Sequence, residues 1–129
     1  MAAAASARSP LDLLTDMFVW WNAAFAADAM TPAGFARFFA DDAPFIVNGD
    51  LRGQGPDGLY ACFGHQRPVV GTAVLLLPFL KSFSSGDCIF IDYDMRIGEG
   101  TAARTVNAKG YAQIREGRIA HYAVNTVAR

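Results

Sequence analysis

The stretch from Phe38 to Tyr60 divides the chain into two parts with different hydrophobic periods. Before it, apolar residues recur every three or four positions, which is the period of an amphipathic helix. After it, runs rich in Val, Leu, Ile and Phe are separated by turns that contain glycine, which is typical of strands. Helices followed by strands, without alternation, favour an α+β domain over a doubly wound parallel sheet.

Two helix starts precede the dividing stretch. Ser9 and Pro10 place an N-capping hydroxyl before a proline at the first helical position, and the apolar stripe carries this helix to about Ala27. Thr31 repeats the same signal before a short second helix. The segment 1–9 consists of small residues without the apolar region of a signal peptide, so we expect it to be a disordered lead-in.

A third helix and a set of strands follow. We expect the helix over residues 56–64, ending before Pro68, because proline disfavours the helical conformation in the residue that precedes it. Pro78 interrupts an apolar run and predicts a bent strand there. The last three strands are joined by tight turns, which predicts an antiparallel sheet. The predicted strands are 45–47, 69–83, 88–97, 102–114 and 118–127.

The composition favours a domain with a lined cavity or a covered face. Hydrophobic residues make up 53% of the 129 residues, above the usual range of about 45–50%, and charged residues make up 18%, below the usual quarter. We expect one domain over residues 1–129. A net charge of −1 provides no attraction for nucleic acid, and it leaves little repulsion between copies of the chain, which favours an oligomer.

Several classes of site have no support in the sequence. Cys62 and Cys88 fit no metal-binding spacing, and we expect them to be reduced and buried. His65 and His121 have no carboxylates at a ligand spacing, so we expect neither a metal nor a cofactor. The longest apolar run is too short to span a bilayer, and we expect a cytoplasmic protein with no membrane partner.

The order of these elements resembles the cone-shaped superfamily of ketosteroid isomerase, the SnoaL-like polyketide cyclases, limonene epoxide hydrolase and nuclear transport factor two (NTF2). The resemblance covers residues 11–127. It is carried by the FFADDA turn at 38–43 with the strand after it, the Gly-x-x-x-Leu helix start at 55–59 and the Arg-Glu-Gly-Arg-Ile hairpin at 115–119. It implies three helices packed into a strongly curved, mainly antiparallel sheet, a deep apolar pocket and a homodimer through the sheet.

The catalytic residues of the isomerases, and the last-strand acid of the cyclases and epoxide hydrolases, are not matched in this chain. Read without gaps, the base carboxylate of the isomerases falls on Val47, their second acid falls on Gly110 and their helix-one tyrosine falls near Trp21. The acid that cyclases and epoxide hydrolases carry on the last strand falls on Val124. Enolising a ketone requires an acid–base pair, so the resemblance implies the fold without this chemistry.

Asp92 and Asp94 are candidate catalytic carboxylates. They are two residues apart on a predicted strand and so share a face, and Asp94 matches the acid in an Arg-x-Asp pattern of the epoxide hydrolases. If that face lines the pocket, repulsion and burial would raise one pKa and place an acid beside a base. Alternatively, the apolar alternation over residues 89–95 faces the core, both aspartates lie outside, and Arg96 pairs with Asp94.

Five other side chains are candidates for the pocket. Tyr122 is a candidate catalytic donor if its face of the last strand points inward, and Trp21 could offer its indole N–H to a ligand. Asn48 and Tyr60 are expected near the rim, and His65 could act as a base at the mouth. The structural alternatives are a core tryptophan, an ordinary turn asparagine and a histidine that caps an exposed helix end.

These observations support two functions. The first is a pocket protein of this superfamily that binds a small apolar molecule with one or two oxygens and is related to isomerases, cyclases or hydrolases. The second is a non-catalytic ligand-binding or dimeric assembly module with a vestigial pocket. The sequence leaves enzymatic activity undecided, and a carboxylate with a raised pKa inside the cavity would distinguish the two.

Overall fold

The computed structural model describes residues 8–129, and in this part of the chain it has three α-helices packed against one curled sheet. The predicted α+β cone is confirmed. Most of the lead-in expected at 1–9 lies outside the described residues. The helices are α1 (Pro10–Ala26), α2 (Pro32–Ala36) and α3 (Gly55–Val70). The strands are β1 (Pro44–Val47), β2 (Asp50–Gln54), β3 (Ala73–Leu75), β4 (Lys81–Ser85), β5 (Cys88–Ile97), β6 (Arg104–Arg115) and β7 (Arg118–Ala128).

The first two helices begin where their caps predict. The Ser9 hydroxyl accepts a hydrogen bond from the Asp12 backbone N–H at 3.1 Å, and the Thr31 hydroxyl accepts one from the Gly34 N–H at 3.0 Å. Each cap satisfies a helix N–H that has no partner within its own helix. The apolar stripe of α1 is buried from Leu13 to Phe25 and faces the sheet. None of the helices in residues 8–129 is long and apolar enough to cross a membrane.

The sheet is mainly antiparallel and runs in the order β2-β1-β7-β6-β5-β3. Strands β1 and β7 pair in parallel, and Phe45 lies beside Tyr122. The long strands β5, β6 and β7 form consecutive hairpins, as predicted. The single bent strand predicted over 69–83 is wrong. Residues 69–70 belong to α3, and the run around Pro78 contains two separate strands, β3 and β4, which both pair with the same edge of β5.

The end of α3 and strand β2 also differ from the sequence prediction. Helix α3 continues to Val70 instead of ending at residue 64, because Pro68 removes only one hydrogen bond near an exposed end, and Arg67 ties that end to the backbone oxygen of Phe25 at 2.9 Å. Strand β2 was not predicted from its polar sequence. It pairs with β1 through Asn48 and Gly49, whose positive φ angles of 51° and 85° are typical of a tight hairpin turn.

Candidate functional site

A cavity of about 160 Å³ lies between the helices and the concave face of the sheet. Helix α1 contributes Phe18 and Trp21 to its wall, and α3 contributes Leu59 and Phe63. Most of the other lining side chains are also aliphatic or aromatic, so a charged group inside the cavity would be poorly solvated. The half-buried amide of Gln66 lies on the α3 side of the lining.

Alternation along the strands places two tyrosines in this cavity. Tyr93 of β5 and Tyr122 of β7 lie on the inward face, on either side of β6. Strand β6 opposes them with Ala108, Gly110 and Ala112, of which Ala108 pairs with Tyr93 and Ala112 pairs with Tyr122. These small residues leave room for the two rings to reach each other across the middle strand.

The hydroxyl oxygens of Tyr93 and Tyr122 are 3.2 Å apart and form a hydrogen bond inside the core. The Phe18 ring packs edge-on against Tyr93 at 4.8 Å, and the Phe45 ring stacks on Tyr122 at 5.6 Å. Because burial disfavours the charged phenolate, it raises the pKa of Tyr93 to about 12 and the pKa of Tyr122 well above its ordinary value. Both hydroxyls are therefore neutral at physiological pH, and they act as hydrogen-bonding groups and not as bases.

Trp21 supplies a second polar group to the cavity. Its ring stacks on Phe25 at 4.6 Å and meets Phe63 edge-on at 5.4 Å, so it is held by aromatic contacts on two sides. The indole Nε1 is buried and has no hydrogen-bond partner among residues 8–129. Trp21 is therefore a core residue whose ring lines the cavity and whose buried indole N–H is unpaired.

Comparison with known proteins identifies the fold through structure alone. No protein-family model matches the sequence, and the search of curated proteins found no match to it. An NTF2-like protein from Anabaena variabilis superposes with a TM-score of 0.72 at 10% identity, over 92% of this chain and 90% of that one. TerC, co-crystallised with polyporic acid, gives 0.67 at 15% identity, over 94% and 92%. The chain has the NTF2-like cone fold.

A third structure with this fold is IdmH from Streptomyces antibioticus, described as a candidate polyketide cyclase. It superposes with a TM-score of 0.65 at 13% identity, over 87% of this chain and 90% of that one. Similarity at this level establishes the NTF2-like fold and leaves activity to be argued from the site itself.

The positions at which the superfamily resemblance implies acids carry apolar residues in this NTF2-like chain. Val47 and Val124 both line the cavity. Gly110 lies between Ile91 and Val124 on neighbouring strands and has no side chain to donate or accept a proton. No lining residue in the described part of the chain carries a carboxylate, an amine, a guanidinium or an imidazole.

Asp92 and Asp94 do not line the cavity. They lie on the outer face of β5, and the inward face carries Ile91 and Tyr93, as the alternative interpretation proposed. The arginine that pairs with Asp94 is Arg129, and not Arg96 as that interpretation expected. The Arg129 guanidinium donates to Asp94 at 2.9 Å. Hydrogen bonds from Arg129 and then Asn107 lower the pKa of Asp94, the opposite of the shift expected for an acid in the cavity. The cavity acid–base pair proposed for these aspartates is therefore not present.

The expected rim residues also lie outside the cavity. The α3 residues that line it follow one helical face, Leu59, Phe63, Gln66 and Val70, which leaves Tyr60 and His65 exposed on other faces.

Asn48 has a structural role in the turn after β1. Its side chain donates to the Thr126 hydroxyl at 2.9 Å and accepts from the Thr126 backbone N–H at 2.8 Å. These two bonds fasten the turn to β7, in agreement with the interpretation of Asn48 as a turn residue.

Cys62 and Cys88 are free and half-buried, less buried than expected. Among residues 8–129, no group of three His, Cys, Asp or Glu side chains could hold a metal ion.

Tyr93 is the site residue that sequence reasoning missed. It belongs to the apolar alternation over residues 89–95 and lies on the inward face of β5, but the sequence analysis does not identify its hydroxyl as a pocket group. The available signal was a single polar-tipped side chain in an otherwise apolar alternation. Tyr122 and Trp21, both expected in the pocket, do line it.

Proposed function

We propose that this protein binds a small apolar molecule in the cavity of its cone. One observation carries the proposal: an apolar cavity of about 160 Å³ contains a buried pair of tyrosine hydroxyls. Apolar cavities of roughly 150 Å³ in protein cores stay dry and accept molecules the size of benzene. Binding would remove the apolar surface of the ligand from water, which contributes about 25 cal/mol per Å².

The chemistry of the wall favours a binding function over acid–base catalysis. Proton abstraction next to a carbonyl requires a base with a pKa near the working pH. The titratable side chains of the wall are Tyr93 and Tyr122, and burial keeps both protonated. TerC, which shares the fold, was co-crystallised with polyporic acid, and this agrees with a ligand-binding use of the cone.

The proposal is tested by filling the cavity. Val124→Phe adds a ring to the cavity wall, and Val127→Phe, the matched control, makes the same change on the same strand at a side chain that is 66% exposed. We expect benzene to perturb the NMR signals of the lining methyl groups in the natural protein and in Val127→Phe, and to have no effect on Val124→Phe. Val47→Phe provides a second filled cavity if Val124→Phe does not fold. Benzene that leaves the natural protein unchanged would contradict the proposal.

A second function, dimer formation through the outer face of the sheet, is favoured by a separate observation. Aromatic rings cross this face from β4 to β7: Phe83, Phe90, Tyr111 and His121, with successive centroids 5.1, 5.7 and 5.4 Å apart. Phe83 is 65% exposed and Phe90 is 45% exposed. An exposed aromatic patch of this kind marks an interaction surface.

The charges beside the aromatic row favour a second copy of the chain as the partner. The neighbouring row alternates in sign, with Lys81 and Lys109 on either side of Asp92. A face that carries both signs can complement itself when rotated by a twofold axis, since each lysine can approach an aspartate of the other copy. We therefore propose a homodimer in which the two outer faces pack together, with the cavities on the opposite sides of the sheets.

A further inference from the structure

The tyrosine pair contains one proton more than its own hydrogen bond uses. Each hydroxyl has one proton to donate, and the bond between Tyr93 and Tyr122 consumes one of the two. Neither hydroxyl bonds to any other group among residues 8–129. The remaining proton is therefore a buried donor without an acceptor, and leaving such a group unpaired is costly.

The indole N–H of Trp21, a residue on the helical side of the cavity, is also a buried donor without an acceptor. Its Nε1–H can only donate, and it has no partner among residues 8–129. Two unpaired donors thus belong to residues of the cavity wall, one from the sheet and one from α1. A ligand that satisfies them must carry acceptor atoms.

The same wall disfavours charged ligands. In the described chain, no lining side chain is cationic, so an anionic ligand would lose its hydration without gaining a counter-charge. A ligand cation would likewise find no carboxylate, because Asp92 and Asp94 lie on the outer face. The acceptor must therefore belong to an uncharged group.

The size of the cavity limits the ligand to a single ring. The space of about 160 Å³ is close to that of the apolar protein cavities that admit benzene, and it is too small for a molecule with several fused rings.

We propose that the cavity selects neutral, single-ring molecules with a carbonyl oxygen, which accepts the free proton of the Tyr93–Tyr122 pair. This inference rests on the proposed ligand-binding function and adds the class of ligand. The two tyrosines are ligand-binding residues here and not proton-transfer groups, because they enter and leave the complex with their protons in place.

Three probes of similar size test separately the effect of a carbonyl oxygen and the effect of a charge. Cyclohexanone carries the carbonyl, methylenecyclohexane has the same shape without an acceptor, and cyclohexanecarboxylate carries a negative charge. We expect the ketone and the hydrocarbon to bind at pH 7 and the carboxylate to bind only when the pH is low enough to protonate it. Carboxylate binding at pH 7 with the affinity of the ketone would overturn the inference.

The variants test the hydrogen bond itself. Tyr93→Phe/Tyr122→Phe removes both hydroxyls and keeps both rings, and Tyr111→Phe removes a hydroxyl from the outer face as the matched control. We expect the double variant to bind cyclohexanone about five- to tenfold more weakly, as for the loss of one neutral hydrogen bond. Its affinity for methylenecyclohexane should not fall, and the control should match the natural protein. Equal losses for ketone and hydrocarbon would overturn the inference.

One measurement needs no variant and separates the two proposals. The infrared carbonyl band of bound cyclohexanone should lie below its position in hexane, because the oxygen accepts a hydrogen bond, and an unshifted band would contradict the inference even if the double variant fails to fold. If the hydrocarbon binds and the ketone band is unshifted, the carbonyl selection is wrong and the binding function stands. If none of the neutral probes binds, the binding function itself is wrong.

Discussion

The chemistry of the cavity depends on the register of the strands that carry Tyr93 and Tyr122. Side chains alternate between the two faces of a strand, so Tyr93 points inward while Asp92 and Asp94, its neighbours on β5, point outward. The concave face consequently holds neutral hydroxyls, and the carboxylates bind Asn107 and Arg129 outside. A shift of one residue would have produced a pocket with two acids.

The raised tyrosine pKa values predict a loss of stability at high pH. In the unfolded chain a tyrosine ionises near pH 10, whereas burial raises the pKa of folded Tyr93 to about 12 and that of Tyr122 well above the ordinary value. The unfolded state then binds fewer protons than the folded state, so the free energy of unfolding falls as the pH rises. The stabilisation is fully present below about pH 10, and for Tyr93 it is lost between about pH 10 and 12, by up to roughly 2–3 kcal/mol.

Urea unfolding at a series of pH values between 8 and 12 measures this loss. Tyr93→Phe/Tyr122→Phe should show a shallower fall in the free energy of unfolding than the natural protein above pH 10. Tyr60→Phe is the matched control, since Tyr60 is 44% exposed, and it should keep the steep fall. Identical slopes for the double variant and the natural protein would mean that these hydroxyls are not desolvated in the folded state.

At the scale of elements, Asn22 of α1 completes the free edge of β3. Its Oδ1 accepts from the Leu75 N–H at 2.8 Å, and its Nδ2 donates to the Leu75 carbonyl at 2.9 Å. One side chain thus satisfies both backbone groups of Leu75, on the free edge of a three-residue strand that is paired only on its β5 side. Covering an edge in this way also protects it from pairing with another chain.

Loss of that edge contact is expected to destabilise the fold. Asn22→Ala removes two half-buried hydrogen bonds to Leu75, and we expect it to lower the free energy of unfolding by about 1–2 kcal/mol. Asn125→Ala, at an exposed position of β7, should change it by less than about 0.5 kcal/mol. Denaturation midpoints in urea measure both. Equal midpoints for the two variants would show that water replaces the two Asn22 hydrogen bonds with no loss in the free energy of unfolding.

The elements that the sequence predicts well are those whose signals are local. Ser9 and Thr31 cap the first two helices, and the turn at Arg115–Arg118 joins β6 to β7, all as expected. Strand β2 was missed because its residues are polar and its pairing with β1 depends on a neighbour. The C-terminal extension of α3 was missed because Arg67 holds it through a contact with Phe25, which is 42 residues away in the chain.

At the scale of the whole molecule, the two faces of the curved sheet differ: the concave face lines the cavity, and the outer face carries a row of aromatic rings. The cavity depends on the curvature of β5–β7, which brings Tyr93 and Tyr122 within 3.2 Å although they are 29 residues apart. Periodicity predicts which side chains share a face, but it cannot predict which of them converge, and the pair was therefore not found from sequence. The apolar excess of the composition is explained in part by the cavity and in part by the exposed rings of Phe83 and Phe90 on the outer face.

The outer face of the sheet leads to a prediction about the oligomeric state of the protein. Phe90 lies in the middle of the aromatic row, between Phe83 and Tyr111. Phe90→Lys would bury an unpaired charge in the proposed twofold interface, which is strongly unfavourable. We therefore expect sedimentation velocity to show a dimer for the natural protein and a monomer for Phe90→Lys at the same concentration. Leu51→Lys, at a 61% exposed position on β2 away from the row, should remain dimeric.

The cavity opens on the other face of the sheet, so the monomeric variant should still bind the neutral probes. A monomeric natural protein at concentrations of about 100 μM would contradict the dimer without affecting the binding function, since a stable interface of standard size keeps copies together well below that concentration.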